Sequence, residues 1–180
     1  MSFSSTEHPR GPRVTTTSRR NLCAVTGLDL REEPYDGPSG QTLTAQVQEE
    51  YVARYGGPDD TPVDAAEFAP PRGRFVIGYV GLEPVAMGGF RSLEDGTVEI
   101  KRMFVVPSHR GRGLSRLLLA RLEQLAAAAG ADRVVLETGM KQPEAMALYA
   151  SAGYDRIGNF GHYRDSALSA SYGKSLSQRP

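Results

Sequence analysis

The sequence contains one cysteine, Cys23, three scattered histidines and no long apolar run. A lone thiol cannot close an internal disulfide, so nothing points to an oxidising compartment and a cytoplasmic protein is expected. His8, His109 and His162 stand in no Cys/His spacing that suits zinc, and metal-independent chemistry is expected. A membrane helix needs roughly 20 consecutive apolar residues, and no segment approaches that. The first residues, MSFSSTEHPRGPRVTTTSRR, offer no apolar core for a signal peptide. Net charge is also missing, with 21 basic residues against 21 acidic ones. That balance argues against a general nucleic-acid binder.

The 180 residues suffice for one domain with a hydrophobic core, and 39% hydrophobic with 23% charged residues is a globular composition. The charges are segregated along the chain. Ten acidic and two basic residues lie between Asp29 and Glu67, whereas six basic and no acidic residues lie between Lys101 and Arg121. Residues 1–20 are rich in Ser, Thr, Pro and Arg and read as a solvated, disordered tail. The domain is expected over 21–180.

Leu22–Leu30 reads as a first strand. After Tyr35-Asp36-Gly37-Pro38, the four-residue spacing of Leu43, Val47, Tyr51 and Tyr55 predicts a helix that Gly56-Gly57-Pro58 ends. Thr61-Pro62-Val63-Asp64 reads as a short helix start with Thr61 as its cap. Arg74–Val80, Val85–Phe90 and Val98–Val106, joined by turn residues, predict an antiparallel meander. Leu114–Ala129 is a helix with Leu114, Leu117, Leu118, Leu122, Leu125 and Ala129 on one face and Gly130 just past its end. A buried strand, Arg133–Thr138, precedes a helix over Pro143–Ala152. Tyr154–Gly158 and Ala167–Leu176 are the last candidate strands.

Between the third meander strand and the Leu-rich helix runs Val105-Val106-Pro107-Ser108-His109-Arg110-Gly111-Arg112-Gly113-Leu114-Ser115. The first N–H groups of a helix are unpaired donors and its dipole favours an anion there. Gly111 and Gly113 leave the backbone approachable, Ser115 is small, and Arg110, Arg112 and Arg116 add positive charge. The loop suits a pyrophosphate. A dinucleotide fingerprint would need glycine where Arg116 stands. A P-loop would need glycine at Leu168, and no helix can follow Gly173-Lys174-Ser175.

The pattern R-x-x-G-x-S after a V-x-P strand end resembles the signature [QR]-x-x-G-x-[GA] of the GNAT superfamily of N-acetyltransferases, with Arg110, Gly113 and Ser115 at its positions. Serine is a small departure at the last. Leu136-Glu137-Thr138, Gln142-Pro143-Glu144-Ala145, Leu148-Tyr149 and Gly153-Tyr154 look like the family's following strand and helix. The likeness runs well from Arg74 to Tyr154. It implies a single α/β domain whose mixed, mostly antiparallel sheet, flanked by helices, splays between strands 4 and 5 to admit acetyl-CoA. It also implies acyl transfer to a primary amine by direct attack in a ternary complex.

A lysine-like ammonium has a pKa of about 10.4, so a base must take its proton. By the family's spacing that base is Glu99, whose carboxylate stands oddly among Val, Ile, Met and Phe; an Arg-paired carboxylate is the competing reading. Glu137 is the fallback base. Tyr149 matches the family's general acid, which protonates the departing thiolate. The backbone N–H of Phe104 or Val105 would polarise the thioester carbonyl. Leu114 and Gln142 join the cofactor contacts, Gln142 as a ligand to the pantetheine arm or adenine end, or as a helix cap. His162 and Tyr163 are weaker candidates for the acceptor site. Lys101 and Arg102 read as structural.

The acceptor is expected to be a small-molecule or peptide amine, cationic and drawn in by Asp59, Asp60, Asp64 and Glu67. No nucleic-acid or membrane partner is expected, and the resemblance is compatible with a homodimer. Rival readings are a non-catalytic acyl-CoA-binding or regulatory module, and a transferase for a longer acyl group or a protein substrate.

Overall fold

The computed structural model describes residues 27–59, 61 and 63–176. The basic tail, the start of the predicted first strand, Asp60 and Pro62 lie outside them. The elements are β1 (Leu28–Glu32), α1 (Pro38–Tyr55), a 3-10 turn (Ala65–Phe68), β2 (Gly73–Val80), β3 (Glu83–Ser92), β4 (Thr97–Val105), α2 (Leu114–Ala128), β5 (Arg133–Gly139), α3 (Pro143–Ser151), β6 (Asp155–Ile157) and β7 (Ser169–Ser175). Two local readings are corrected. The first strand extends to Glu32. The short helical turn is capped not by Thr61 but by Asp64, whose carboxylate accepts the Ala66 N–H. Thr61 instead donates both its N–H and its hydroxyl to Asp59 Oδ1.

The sheet has seven strands in the order β1-β2-β3-β4-β5-β7-β6. All neighbours are antiparallel except β4 and β5. That parallel pair holds only from Thr97↔Arg133 to Ile100↔Leu136. Beyond it β4 continues along β3 to Val105 and β5 continues along β7 to Gly139, so the two strands part. At the fork the β3–β4 register shifts between Met87 and Gly89, and Arg102 takes a left-handed φ of 58°. The extra residue bends β4 away from its parallel partner, as bulges do.

Helices cover both faces. By strand alternation Met87 and Gly88 face opposite sides. Thr44 of α1 reaches the Met87 sulfur at 3.9 Å, so α1 lies on that face. A Cβ at Gly88 would stand 3.1 Å from Leu122 Cδ1, which puts α2 on the other. The α2 stripe buries Leu114, Leu118, Leu119, Leu122 and Ala126. On the α1 side Tyr35, Phe68 and Phe75 form a ring cluster with centroids 5.0–5.4 Å apart.

Gly89 lies under that cluster, where a Cβ would meet Phe75 Cδ2 at 2.5 Å and the Arg74 carbonyl at 2.8 Å. Gly89→Ala is therefore expected to destabilise the fold by about 1–3 kcal/mol, the usual range for overpacking. A urea titration should show a lower midpoint with an unchanged m-value; an unchanged midpoint would contradict the packing.

Candidate active site

The loop between β4 and α2 carries the first half of the site. Gly111 and Gly113 have φ of 75° and 77°, a conformation that glycine adopts without the strain a side chain brings. The N–H groups from Gly111 to Ser115 make no hydrogen bond to a described residue, while Arg116 and Leu117 begin the helical pattern on the Gly113 carbonyl. A row of free donors at a helix start is the arrangement that a pyrophosphate needs.

The three arginines divide. Arg110 turns away from the donors: its Nε donates to the Val105 carbonyl at 2.9 Å and its guanidinium pairs with Glu50 of α1. These two contacts tie the loop to β4 and α1. Arg116 donates to Ser151 Oγ at 2.8 Å. Arg112 is exposed beside the donors.

The Val106 N–H bonds the Val85 carbonyl on β3. Alternation then points the N–H and carbonyl of Val105 toward the parting of the strands, and Phe104, paired with Met87, toward β3. Of the two expected oxyanion donors, only Val105 faces the gap. Phe104 contributes a buried ring, with the Arg110 guanidinium 5.6 Å from its centroid. Leu114 is buried in the core.

Where β4 and β5 diverge there is a cavity of about 310 Å³. Glu99, Lys101, Arg102 and Met103 reach it from β4, Glu137 from β5, and Gln142 and Tyr149 from the α3 side. Tyr51 and Tyr55 close it from α1, and His162 and Tyr163 from the β6–β7 connection. Gln142 occupies the helix-cap position without a side-chain cap bond and instead donates to the Tyr55 hydroxyl at 3.3 Å.

Glu99 is almost fully buried and is held by two cations, Arg91 Nε at 2.7 Å and Lys101 Nζ at 3.1 Å. Arg91 also bonds Glu67 at 2.8 Å. This is the Arg-paired arrangement, the competing reading of this carboxylate. Glu137 differs: it is half-buried and makes no ion pair among the described residues. Burial pushes its carboxyl above the ordinary glutamate value, with the charges of Glu99 and Asp59 adding and Lys101 opposing.

Tyr149 is buried, its ring centroid 5.9 Å from those of both Tyr154 and Tyr172, and its hydroxyl points at the Met103 sulfur, 3.9 Å away. Burial, helped by the nearby Tyr51, raises its pKa, so the phenol stays protonated. Burial also pushes the Tyr51 phenol up to about 12, with Asp59 adding. Tyr51 hydroxyl makes no hydrogen bond to a described residue. Sequence reasoning took Tyr51 only as part of a helix stripe.

Three of the four acids expected at the acceptor entrance are described, and each has a basic neighbour: Asp59 pairs with Arg102 at 3.0 Å, Glu67 with Arg91, and Asp64 approaches Arg72 at 3.9 Å.

The sequence profile of the Acetyltransferase (GNAT) family matches residues 43–154. Over 108 residues the chain is 39% identical to the IAA acetyltransferase of Azospirillum brasilense, spanning 59% of this chain and 71% of that one. It is 35% identical over 83 residues to human N-acetyltransferase 8, a match covering 46% of this chain and 35% of the human one. A solved structure from Klebsiella pneumoniae, described as that of an acyl-CoA N-acyltransferase, superposes with a TM-score of 0.71 at 26% identity, covering 83% of this chain and 98% of that one. The fold is thus that of an acyltransferase. The chain belongs to the GNAT acetyltransferase family.

The Asp59–Arg102 pair makes a prediction. Arg102 is 5% exposed, so Asp59→Asn strands a buried cation. The expected loss is about 2–4 kcal/mol at neutral pH, below the fully buried limit because Asp59 itself is partly exposed. Burial works to raise the Asp59 carboxyl, but hydrogen bonds from Thr61, then Arg102 and Tyr163, outweigh it and hold the carboxyl below its ordinary value. The stabilisation is therefore complete above the unfolded value and disappears as pH falls through the folded one. Urea midpoints of wild type and variant should converge in acid; a gap that is constant with pH would contradict the assignment.

Proposed function

We propose that the protein transfers acetyl from acetyl-CoA to a primary amine bound with it in a ternary complex, with Glu137 as base and Tyr149 as acid. One observation supports the reading above all: the cavity at the parting of β4 and β5 is lined by both Glu137 and Tyr149, and the loop that follows β4 carries N–H groups, from Gly111 to Ser115, without a partner among the described residues. These features fit acetyl-CoA, with the loop donors for its pyrophosphate, Arg112 beside them and the parted strand edge for the pantetheine arm. When bound, acetyl-CoA supplies an activated acyl carbon on a thiol leaving group.

The Val105 N–H is the donor available to the thioester oxygen. Glu137 takes a proton from the ammonium, which frees the nitrogen lone pair. The nitrogen–carbon bond forms as the carbon–sulfur bond breaks. Tyr149 gives its proton to the departing sulfur, and the proton shed by the new amide nitrogen returns to the phenolate. Glu99, paired with Arg91 and Lys101, organises the cavity floor. We also propose a cytoplasmic location, supported by the single cysteine and by acetyl-CoA as cosubstrate.

Thiol release from acetyl-CoA with an amine panel tests the assignment. Tyr149→Phe and Glu137→Gln are each expected to lower kcat by about 10² to 10⁴, the span of positioned acid–base catalysis. In the wild type, kcat/KM should rise with pH as Glu137 loses its proton, along a limb above the ordinary glutamate value that Glu137→Gln lacks. If Glu99→Gln removed that limb and Glu137→Gln kept it, the two carboxylates would exchange roles.

A further inference from the structure

We infer that the acceptor is an aromatic monoamine, one carrying a single positive charge next to an aryl ring, rather than a polyamine or a lysine side chain. This deepens the reading of the preceding section and rests on it.

The charge census of the cavity comes first. Glu99, Asp59 and Glu137 are its acids, and Arg91, Lys101 and Arg102 its bases. Glu99 is met by Arg91 and Lys101, and Asp59 by Arg102. Of these three carboxylates, only Glu137 makes no ion pair to a described residue. One carboxylate can satisfy one ammonium. A second or third ammonium of a polyamine would enter a site whose remaining anions are engaged, and would face Lys101 and Arg102.

The walls come second. Aromatic side chains line the cavity from two separate elements: Tyr51 and Tyr55 from α1, edge to face at 6.3 Å, and His162 and Tyr163 from the β6–β7 connection, edge to face at 4.7 Å. Gly139 serves the same wall, because a Cβ there would stand within bonding distance of the Tyr55 hydroxyl. Pro58, Ile100 and Leu168 add apolar surface. Small-molecule sites of this size are mostly apolar with a few placed polar groups. Aromatic pairs gain from edge-to-face and offset contacts with a further ring beyond what area alone supplies. A flexible aliphatic chain lacks that gain and loses more rotational freedom on binding.

The test measures thiol release with phenethylamine, n-butylamine and spermidine on wild type, Tyr163→Leu and Tyr163→Phe. Circular dichroism and the KM for acetyl-CoA confirm that each variant is folded. The wild type is expected to favour phenethylamine over n-butylamine and spermidine by about tenfold or more in kcat/KM. In Tyr163→Leu the phenethylamine to n-butylamine ratio should collapse several-fold, and Tyr163→Phe, which keeps the ring, should restore it. Turnover that favours spermidine or n-butylamine, or a ratio unmoved in Tyr163→Leu, overturns the aromatic assignment while leaving amine acetylation standing. No thiol release with any of the three amines overturns both.

Discussion

The site exists because β4 and β5 stay together for only four residue pairs. A continuous parallel ladder would consume the backbone groups of both edges and leave no room between them. Here β4 follows β3, β5 follows β7, and the wedge between them opens both an unpaired strand edge and a cavity. The bulge at Arg102 belongs to the same constraint. Its left-handed φ is unfavourable for a residue with a side chain, and such conformations persist where the surroundings over-determine them. The surroundings here are Asp59, reached by the guanidinium at 3.0 Å, and the Thr61 carbonyl at 3.3 Å. The loop between α1 and the 3-10 turn is thereby fastened to the fork in the sheet.

That fastening explains how the acidic stretch is used. In sequence, Asp59, Asp64 and Glu67 look like an excess of negative charge facing a basic segment. In the fold, Asp59 and Glu67 meet arginines that come from β4 and β3. Among the described carboxylates that line the cavity, only Glu137, on β5, makes no ion pair. Burial makes it a better base, because desolvation raises the Glu137 carboxyl.

Features set by near neighbours in the chain were legible in the sequence. The α2 helix with buried Leu114, Leu118 and Leu122, the strand pairs with tight turns, and the glycine-bearing loop before α2 each have a period or spacing of their own, although the expected face placed Ala129, which is exposed, where Leu119 and Ala126 are buried. The free N–H row follows from a helix start, wherever the helix packs. Contacts across the sheet were not legible. Nothing near Glu99 in sequence announces that Arg91, eight residues earlier on the neighbouring strand, reaches it. Nor does anything near Arg110 announce its partner Glu50, 60 residues away. Tyr51 and Tyr55 fitted a four-residue helical period well enough to pass as core, yet they face the cavity. Asp64 displaced Thr61 as cap because Thr61 was already bonded to Asp59, a competition between two hydroxyl and carboxylate partners that spacing rules do not weigh.

The last half of α1 bridges the two lips of the wedge. Glu50 pairs with Arg110 on the β4 side. Arg54 pairs with Glu144 at the start of α3 and donates to the Lys141 carbonyl at 3.0 Å, while Lys141 Nζ returns a bond to the Arg54 carbonyl at 3.1 Å. Arg54 and Glu50 are themselves joined at 2.8 Å, so the chain of charges runs unbroken from one lip to the other. Most of these groups are at least partly exposed, and exposed pairs contribute about 0–1 kcal/mol each. The core beneath, by contrast, is made of fully buried Leu and Phe side chains. The pairs at the rim therefore add little stability each, while the depth of the gap is set by the place where the parallel ladder ends at Ile100↔Leu136.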